Sequence, residues 1–212
     1  MQKRDPGHTT GLSEPPSLPT RRAEQAEATR AALIAAAREL FAQRGYAAVG
    51  TEEIVRRARV TRGALYHHFS GKEGLFEAVF EQVEGELTEQ VAGVAMGAAG
   101  PWEGMRSGAR AFLDACLDPA VQQITLLDAP SVLGWERWRE IGQRYGLGLV
   151  QASVQAAIDA GEIEPQPVRP LAHLLIGALD EAAMLVARAD DVQATRREVG
   201  EALERYLEAL RR

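Results

Sequence analysis

The feature that most constrains this chain is the spacing of its apolar residues, which recur every three or four positions from about residue 23 almost to the end. This spacing matches the period of an α-helix, and no stretch alternates between apolar and polar residues as a half-buried strand does. Good helix formers, above all Ala, Glu, Leu and Arg, dominate the composition. The sequence therefore predicts an all-α protein.

Breaks in this periodicity divide the chain. The expected segments are a flexible arm over residues 1–22, a helix-turn-helix domain over 23–71 and a larger helical domain over 72–212. The arm is rich in Pro, Gly, Ser and Thr and cannot bury enough apolar surface to order itself. Lys3 and Arg4 leave open whether it contacts DNA or is a passive tail.

The charge is unevenly distributed, although the whole chain has a net charge of −6. Residues 1–72 have a net charge of +5 and residues 73–212 a net charge of −11. A basic N-terminal part on an acidic remainder is typical of a DNA-binding domain carried on a body that DNA repels. Uneven surface charge without a partner is the alternative interpretation of this pattern.

The segment Thr51–Phe69 carries the strongest functional signal. Two short helices are predicted over Thr51–Ala58 and about Thr61–Phe69, separated by Arg59 and Val60. This is the layout of a helix-turn-helix, in which one helix supports another that enters the major groove. On the second helix Leu65 and Phe69 are expected to point to the core, which leaves the opposite face free for DNA.

The exposed face of this helix predicts a division of roles by chemistry. Arg62 is the candidate for base readout, because a guanidinium pairs bidentately with guanine, and His67 is a second base-reading candidate. Gly63 and Ala64 permit close approach. The side chains suited to phosphates, which position a protein without reading sequence, are those of Thr61, Tyr66, His68 and Lys72.

Several stretches carry a family resemblance. They are Phe41-Ala-Gln-Arg-Gly-Tyr46, Thr51-Glu-Glu-Ile54, Val60-Thr-Arg-Gly-Ala-Leu-Tyr-His-His-Phe69 and Lys72-Glu-Gly-Leu-Phe76. Over about 50 residues, the sequence resembles the DNA-binding domain of the tetracycline-repressor (TetR) family. The resemblance implies that Arg62, Gly63, Ala64 and His67 face bases, and that Tyr66, His68 and Lys72 hold phosphates.

Two positions depart from the family pattern. Gly50 stands at the N-cap of the short helix where the family usually has Ser or Thr, and Thr51 beside it is the candidate phosphate contact there. Arg59 stands in the turn where the family usually has Gly, so we expect it to adopt a left-handed or distorted conformation at some energetic cost.

The resemblance also implies a dimerising body that often binds a small effector. Two predicted helices, about Val168–Ala189 and about Val192–Leu210, carry apolar stripes suited to a four-helix interface between two chains. Burial within one chain is the alternative interpretation of these stripes. The candidate effector-lining residues are Asp128, Trp135, Trp138, Tyr145 and Glu181.

Other functional classes find little support in the sequence. The sequence contains no Gly-x-Ser-x-Gly motif, no P-loop, no dinucleotide motif and none of the Glu-x-x-His pairs of di-iron proteins. No enzyme activity and no cofactor are therefore predicted. Adjacent His67 and His68 point about 100° apart and are poorly placed to chelate one metal. A DNA-binding protein without an effector stays the main alternative.

The sequence also indicates where the protein works. Cys116 is the single cysteine, which fits a reducing cytoplasm, and it is expected to be a core residue rather than a redox sensor. The N-terminus lacks the apolar segment of a signal peptide, and no run approaches the length of apolar sequence that spans a membrane. A cytoplasmic protein without a membrane partner is therefore predicted.

Overall fold

The computed structural model describes residues 20–211, so almost all of the predicted arm lies outside the described residues. The arm's last two residues, Arg21 and Arg22, already belong to the first helix. No β-strand occurs between residues 20 and 211, and the all-α prediction is confirmed.

The N-terminal helices form a compact unit, which we call the head. They are α1 (Arg21–Arg44), α2 (Thr51–Ala58) and α3 (Arg62–His68). Thr20 caps α1, and Gly45 ends it with a φ of 73° that favours glycine. The core of the head consists of fully buried side chains from all three helices, which are Leu33, Ala37, Phe41, Ile54 and Leu65. This core fixes α3 across α1 and α2.

The remaining helices form the body. They are α4 (Lys72–Met96), α5 (Pro101–Ala115), α6 (Pro119–Val121), a π-helical segment (Gln122–Asp128), α7 (Ala129–Val132), α8 (Trp135–Asp159), α9 (Val168–Ala187) and α10 (Val192–Glu208). An aromatic cluster joins body to head, because the Phe76 ring of α4 lies 5.3 Å from that of Phe41 and 5.1 Å from that of Tyr46. The head and the body therefore share one continuous core.

The π-helical segment ends beside a proline. Pro130 follows it and has no backbone N–H, so it cannot bond to the carbonyl of Thr125 five residues earlier. That carbonyl instead accepts a hydrogen bond of 2.8 Å from the indole N–H of Trp138 on α8. The Thr125 hydroxyl donates in turn to the carbonyl of Val121 at 2.7 Å. The Trp138 indole therefore ties the segment to α8 through a carbonyl that Pro130 leaves without a backbone partner.

Helix α9 lies at the centre of the body, against α5, α8 and α10. Contrary to expectation, it is long and apolar enough, by length and composition alone, to cross a membrane. Within the most apolar stretch of this helix, 39% is buried inside the body. Packing inside the body thus accounts for part of its apolar composition, and other apolar residues of α9, such as Leu174 and Leu185, are exposed.

Candidate DNA-binding surface and body cavity

The outer face of α3 is presented to solvent by the packing of its inner face. Leu65 and the following Phe69 are buried against α1, while Arg62, Gly63 and His67 are exposed. Thr61 caps the helix, since its hydroxyl oxygen accepts a hydrogen bond of 3.2 Å from the N–H of Ala64. The exposed residues therefore stand on a short, rigid element.

Arg62 projects freely from the first turn of α3. Its side chain is 63% exposed, with the guanidinium 3.7 Å from Glu52 and over the Tyr66 ring, 5.6 Å from its centre. Hydrogen bonding to Tyr66 raises the pKa of Arg62, so the group stays fully charged. Tyr66 is itself 51% exposed. These contacts are weak and solvated, so they can be exchanged for contacts with DNA.

The turn between α2 and α3 has the strained geometry that the sequence predicts. Arg59 is in the left-handed region, with a φ of 57° and a ψ of 37°. The N–H of Val60 then donates to the carbonyl of Val55 at 3.0 Å and closes the end of α2. At the other end of α2, Gly50 makes no side-chain cap bond, so the first N–H groups beside Thr51 have no side-chain acceptor there.

Lys72 connects the start of α4 to the head. Its ammonium donates to the carbonyl of Tyr46 at 2.6 Å and lies 3.9 Å from the centre of the Tyr46 ring. Partial burial lowers the pKa of Lys72, and the carboxylate of Asp128 opposes that shift. The predicted phosphate contact therefore starts from an ammonium that already binds the protein, and its remaining N–H donors are available for an anion.

Asp128 belongs to the same connection. Its carboxylate accepts a hydrogen bond of 2.7 Å from the backbone N–H of Tyr46. Tyr46 is therefore held from two sides, by Lys72 of α4 and by the end of the π-helical segment. This places Asp128 at the junction between head and body, away from the cavities of the body.

The two adjacent histidines of α3 lie side by side. The His67 ring is exposed, the His68 ring is partly buried, and the two are 5.2 Å apart in an edge-to-face arrangement. Across residues 20–211, no group of three or more His, Cys, Asp or Glu side chains is placed to hold a metal ion.

The body encloses a cavity of about 100 Å³ between α4, α5, α8, α9 and α10, which we call the larger cavity. Its walls are mostly apolar and include Leu87, Val91, Met105, Phe112, Leu149, Val150, Leu175, Ile176, Leu179, Leu203 and Leu207. The polar side chains in its lining are those of Glu84, Thr88, Ser153 and Asp180. A smaller cavity adjoins it, and the two share Glu84, Leu87, Phe112, Gly142 and Asp180.

The lining of the larger cavity differs from the predicted set. Trp138 lines the smaller cavity only, and Trp135 is half exposed, with its ring 4.7 Å from that of Trp138. Tyr145 packs on α4. Its ring lies 3.5 Å from the position that a Cβ would occupy if Gly85 carried a side chain. Glu181 is exposed on the outer side of α9. The packing of the helices thus directs all five predicted side chains, including that of Asp128, away from the larger cavity.

Sequence reasoning missed the two acids that do line the cavity. Burial raises the pKa of Glu84 to about 8, and the charge of Asp180 adds to this effect. Burial likewise raises the pKa of Asp180 to about 6, while Arg139 opposes the shift. The available signal was Glu84 among Phe80, Val83 and Leu87 on one apolar helix face.

Cys116 has the environment of a core residue. Its side chain is fully buried, and burial raises the pKa of its thiol. A protonated, enclosed thiol is a poor nucleophile, in line with the expectation for this residue.

The last two helices divide their apolar residues between inside and outside. Leu175, Val186, Leu203 and Leu207 are buried within the chain. By contrast Leu174 is 64% exposed, Leu185 is 56% exposed and Tyr206 is 41% exposed. Along α9, Leu174, Ala178, Glu181 and Leu185 follow one another at helical spacing on the outer face. The predicted stripes thus contribute both to the core and to an exposed apolar surface.

Comparison with known proteins identifies both parts of the chain. Residues 33–79 match a family model described as bacterial regulatory proteins of the tetR family. Residues 102–210 match the model of the tetracyclin repressor-like C-terminal domain.

Solved and curated relatives agree with these models. A TetR-family transcriptional regulator from Pectobacterium atrosepticum has 37% sequence identity and a TM-score of 0.81, covering 91% of this chain and 98% of that one. The transposon Tn10 TetC protein of Escherichia coli is 29% identical over 158 residues, 73% of this chain and 78% of that protein. The regulator AcrR of Shigella flexneri is 38% identical over 66 residues, 31% of each protein. The chain therefore belongs to the TetR family of bacterial transcription regulators, whose members bind DNA.

Proposed function

We propose that this protein is a dimeric repressor that binds a near-palindromic operator through α3 and is released from it by a small molecule bound in the body. The observation that carries the proposal is the outer face of α3, where an exposed arginine, two small residues and a histidine stand together on a capped helix. A face made for water alone more often carries Glu and Lys.

Each side chain on this face has a proposed role. Arg62 and His67 read base edges in the major groove, and Gly63 and Ala64 let the helix approach closely. The phosphate contacts come from Thr51, Thr61, Tyr66, His68 and Lys72. Thr61 keeps its hydroxyl hydrogen for this purpose, because only its oxygen is used in capping α3.

The exposed apolar surface of α9 and α10 supports a dimer. Leu174, Leu185 and Tyr206 are large apolar or aromatic side chains that a second chain would cover in a four-helix interface. A dimer places two copies of α3 on one face of the duplex, where half-sites lie about 34–36 Å apart. A near-palindromic operator follows from this symmetry.

The contacts at Tyr46 support a route from the cavity to the head. The π-helical segment supplies Thr125 and Leu126 to the smaller cavity and Asp128 to the N–H of Tyr46. A ligand that favours another position of this segment would therefore favour another position of the head. Its effect is limited to its difference in affinity for the two states.

The test is selection of genomic DNA fragments by the full-length protein at near-physiological salt, followed by sequencing of the retained DNA. We expect a shared near-palindromic site occupied by one dimer. An Arg62→Ala variant is the control, and it should retain fragments with less agreement in sequence. Retention without any shared sequence would contradict the proposal.

A further inference from the structure

We propose that the larger cavity is built for a small organic cation, whose amine lies between Glu84 and Asp180 and whose apolar part lies among the leucines and Phe112 of the cavity wall. This inference rests on the proposed function, because it names the chemical class of the effector.

Glu84 differs from the ion-paired acids on its helix. The α4 residues Glu77, Glu81 and Glu86 form ion pairs with arginines of α8 or α1, which are Arg137, Arg144 and Arg38. Glu84 has no hydrogen bond or ion pair with any residue from 20 to 211, and it faces the cavity. Glu84 is partly buried, and a partly buried carboxyl without a partner is costly, which points to a partner that is not part of the chain.

The balance of charge around the two acids favours a cation. Glu84 comes from α4 and Asp180 from α9, and Arg139 of α8 is the nearby positive group, acting on Asp180. The other titratable group close to the acids is Cys116, whose thiol is protonated. Two acids therefore share one guanidinium: Arg139 acts on Asp180, and Glu84 has no positive group of its own. An ammonium would be balanced by Glu84 once that carboxyl gives up its proton, whereas an anion would lie beside the negative charge of Asp180 and keep Glu84 protonated.

The apolar part of the ligand is set by the walls and the volume. Leu87, Phe112, Leu175, Leu179 and Leu203 surround the space beyond the acids. A volume of about 100 Å³ is of the scale of a single ring or a short alkyl chain, since an engineered cavity of about 150 Å³ holds benzene. Benzylamine and n-alkylamines combine such a body with an ammonium group.

Binding of a cation should also change the protonation of Glu84. With a pKa of about 8, Glu84 is mostly neutral at pH 7 in the empty cavity. An ammonium beside it lowers that pKa, so Glu84 loses its proton to the solvent as the cation enters. The affinity for a cation should therefore rise from pH 6 to pH 8, and the heat of binding at pH 7 should depend on the ionisation enthalpy of the buffer.

The test is isothermal titration calorimetry of the full-length protein with benzylamine, n-butylamine, n-hexylamine, benzyl alcohol and benzoate. We expect the amines to bind at least tenfold more tightly than benzyl alcohol, and benzoate to bind most weakly. Glu84→Gln should lower amine affinity at least tenfold and leave benzyl alcohol unchanged. Asp180→Asn is a second variant, and the exposed α4 residue Glu89 supplies the control Glu89→Gln.

The inference is overturned if benzyl alcohol or benzoate binds as tightly as the amines, if Glu84→Gln leaves amine affinity unchanged, or if no amine binds. Its failure is distinguishable from that of the proposed function by adding the same probes to the protein on its operator. Operator binding without any amine affinity would contradict the ligand class alone. Amine binding that leaves the protein on DNA would support the ligand class and contradict effector release.

Discussion

The head and the body form their binding surfaces in opposite ways. The face of α3 comes from a single helix of 7 residues, and its polar groups stay in water until DNA replaces that water. The larger cavity is assembled from α4, α5, α8, α9 and α10, and its two acids are partly buried by the packing of these helices. Substitutions on α3 should therefore change recognition with little effect on folding, whereas substitutions in the cavity should change both.

The largest effect is expected from the body, although the body does not touch DNA. Leu174→Glu puts a charge on the exposed stripe of α9 and should prevent dimerisation, because the charge would be buried in the interface. Losing the second half-site should lower operator affinity by about 100-fold or more. Sedimentation velocity and fluorescence anisotropy measure the two effects.

Met96→Glu is the matched control, because Met96 is exposed on α4 and lies outside α9 and α10. A dimer that persists in Leu174→Glu with wild-type operator affinity would show that the stripe is not the interface.

Arg62→Ala is expected to have the next largest effect. Loss of a bidentate contact to guanine costs about 1–3 kcal/mol, or roughly 5- to 150-fold in operator affinity. Binding to random DNA should fall much less, and the free energy of unfolding should stay within about 0.5 kcal/mol of wild type. Arg197→Ala, an exposed arginine on α10, is the control. Equal losses on operator and random DNA would refute base readout by Arg62.

The cavity provides a test of stability against pH. The pKa of Glu84 is raised in the folded state to about 8, so the folded protein binds the extra proton and loses stability as the pH rises from about 4.5 to 8. Glu84→Gln removes this dependence. We expect the variant to be more stable than wild type by about 2 kcal/mol at pH 9 and by much less at pH 5. Urea unfolding at both pH values measures the difference, and a difference independent of pH would contradict it.

The smallest effect is expected from a substitution in the head. Arg59→Gly should raise the free energy of unfolding by about 1 kcal/mol, because glycine adopts the left-handed conformation without the cost of a Cβ. Arg59→Ala is the matched control, since it removes the same charge and keeps the Cβ. If both variants change stability equally, the backbone of Arg59 is not strained.

The sequence predicts the head far better than the body for a physical reason. Leu65, Phe69 and Arg62 lie within one turn or two of each other, so helical spacing alone decides which side chain is buried and which is free. The left-handed Arg59 was predictable in the same way, from its position between two short helices.

The cavity depends on how distant helices pack, which no local pattern encodes. Trp135, Tyr145 and Glu181 have suitable side chains for a ligand site, yet packing directs them to the surface or to a neighbouring helix. The only sequence signal for Glu84 is its place as a charged residue among apolar residues on α4. The role of Glu84 depends on Asp180, which is nearly a hundred positions further along the chain. The two side chains line the same cavity only in the folded bundle.

The π-helical segment Gln122–Asp128 has a consequence for how such a regulator evolves. A π-helical turn corresponds to one residue more than an α-helix accommodates. Deleting one codon there would restore regular winding and rotate Asp128 by about 100°, away from the N–H of Tyr46 that it now binds. In the proposed function, such a deletion would disconnect the cavity from the head in a single genetic event, while the residues that line the larger cavity and those on the outer face of α3 are inherited unchanged.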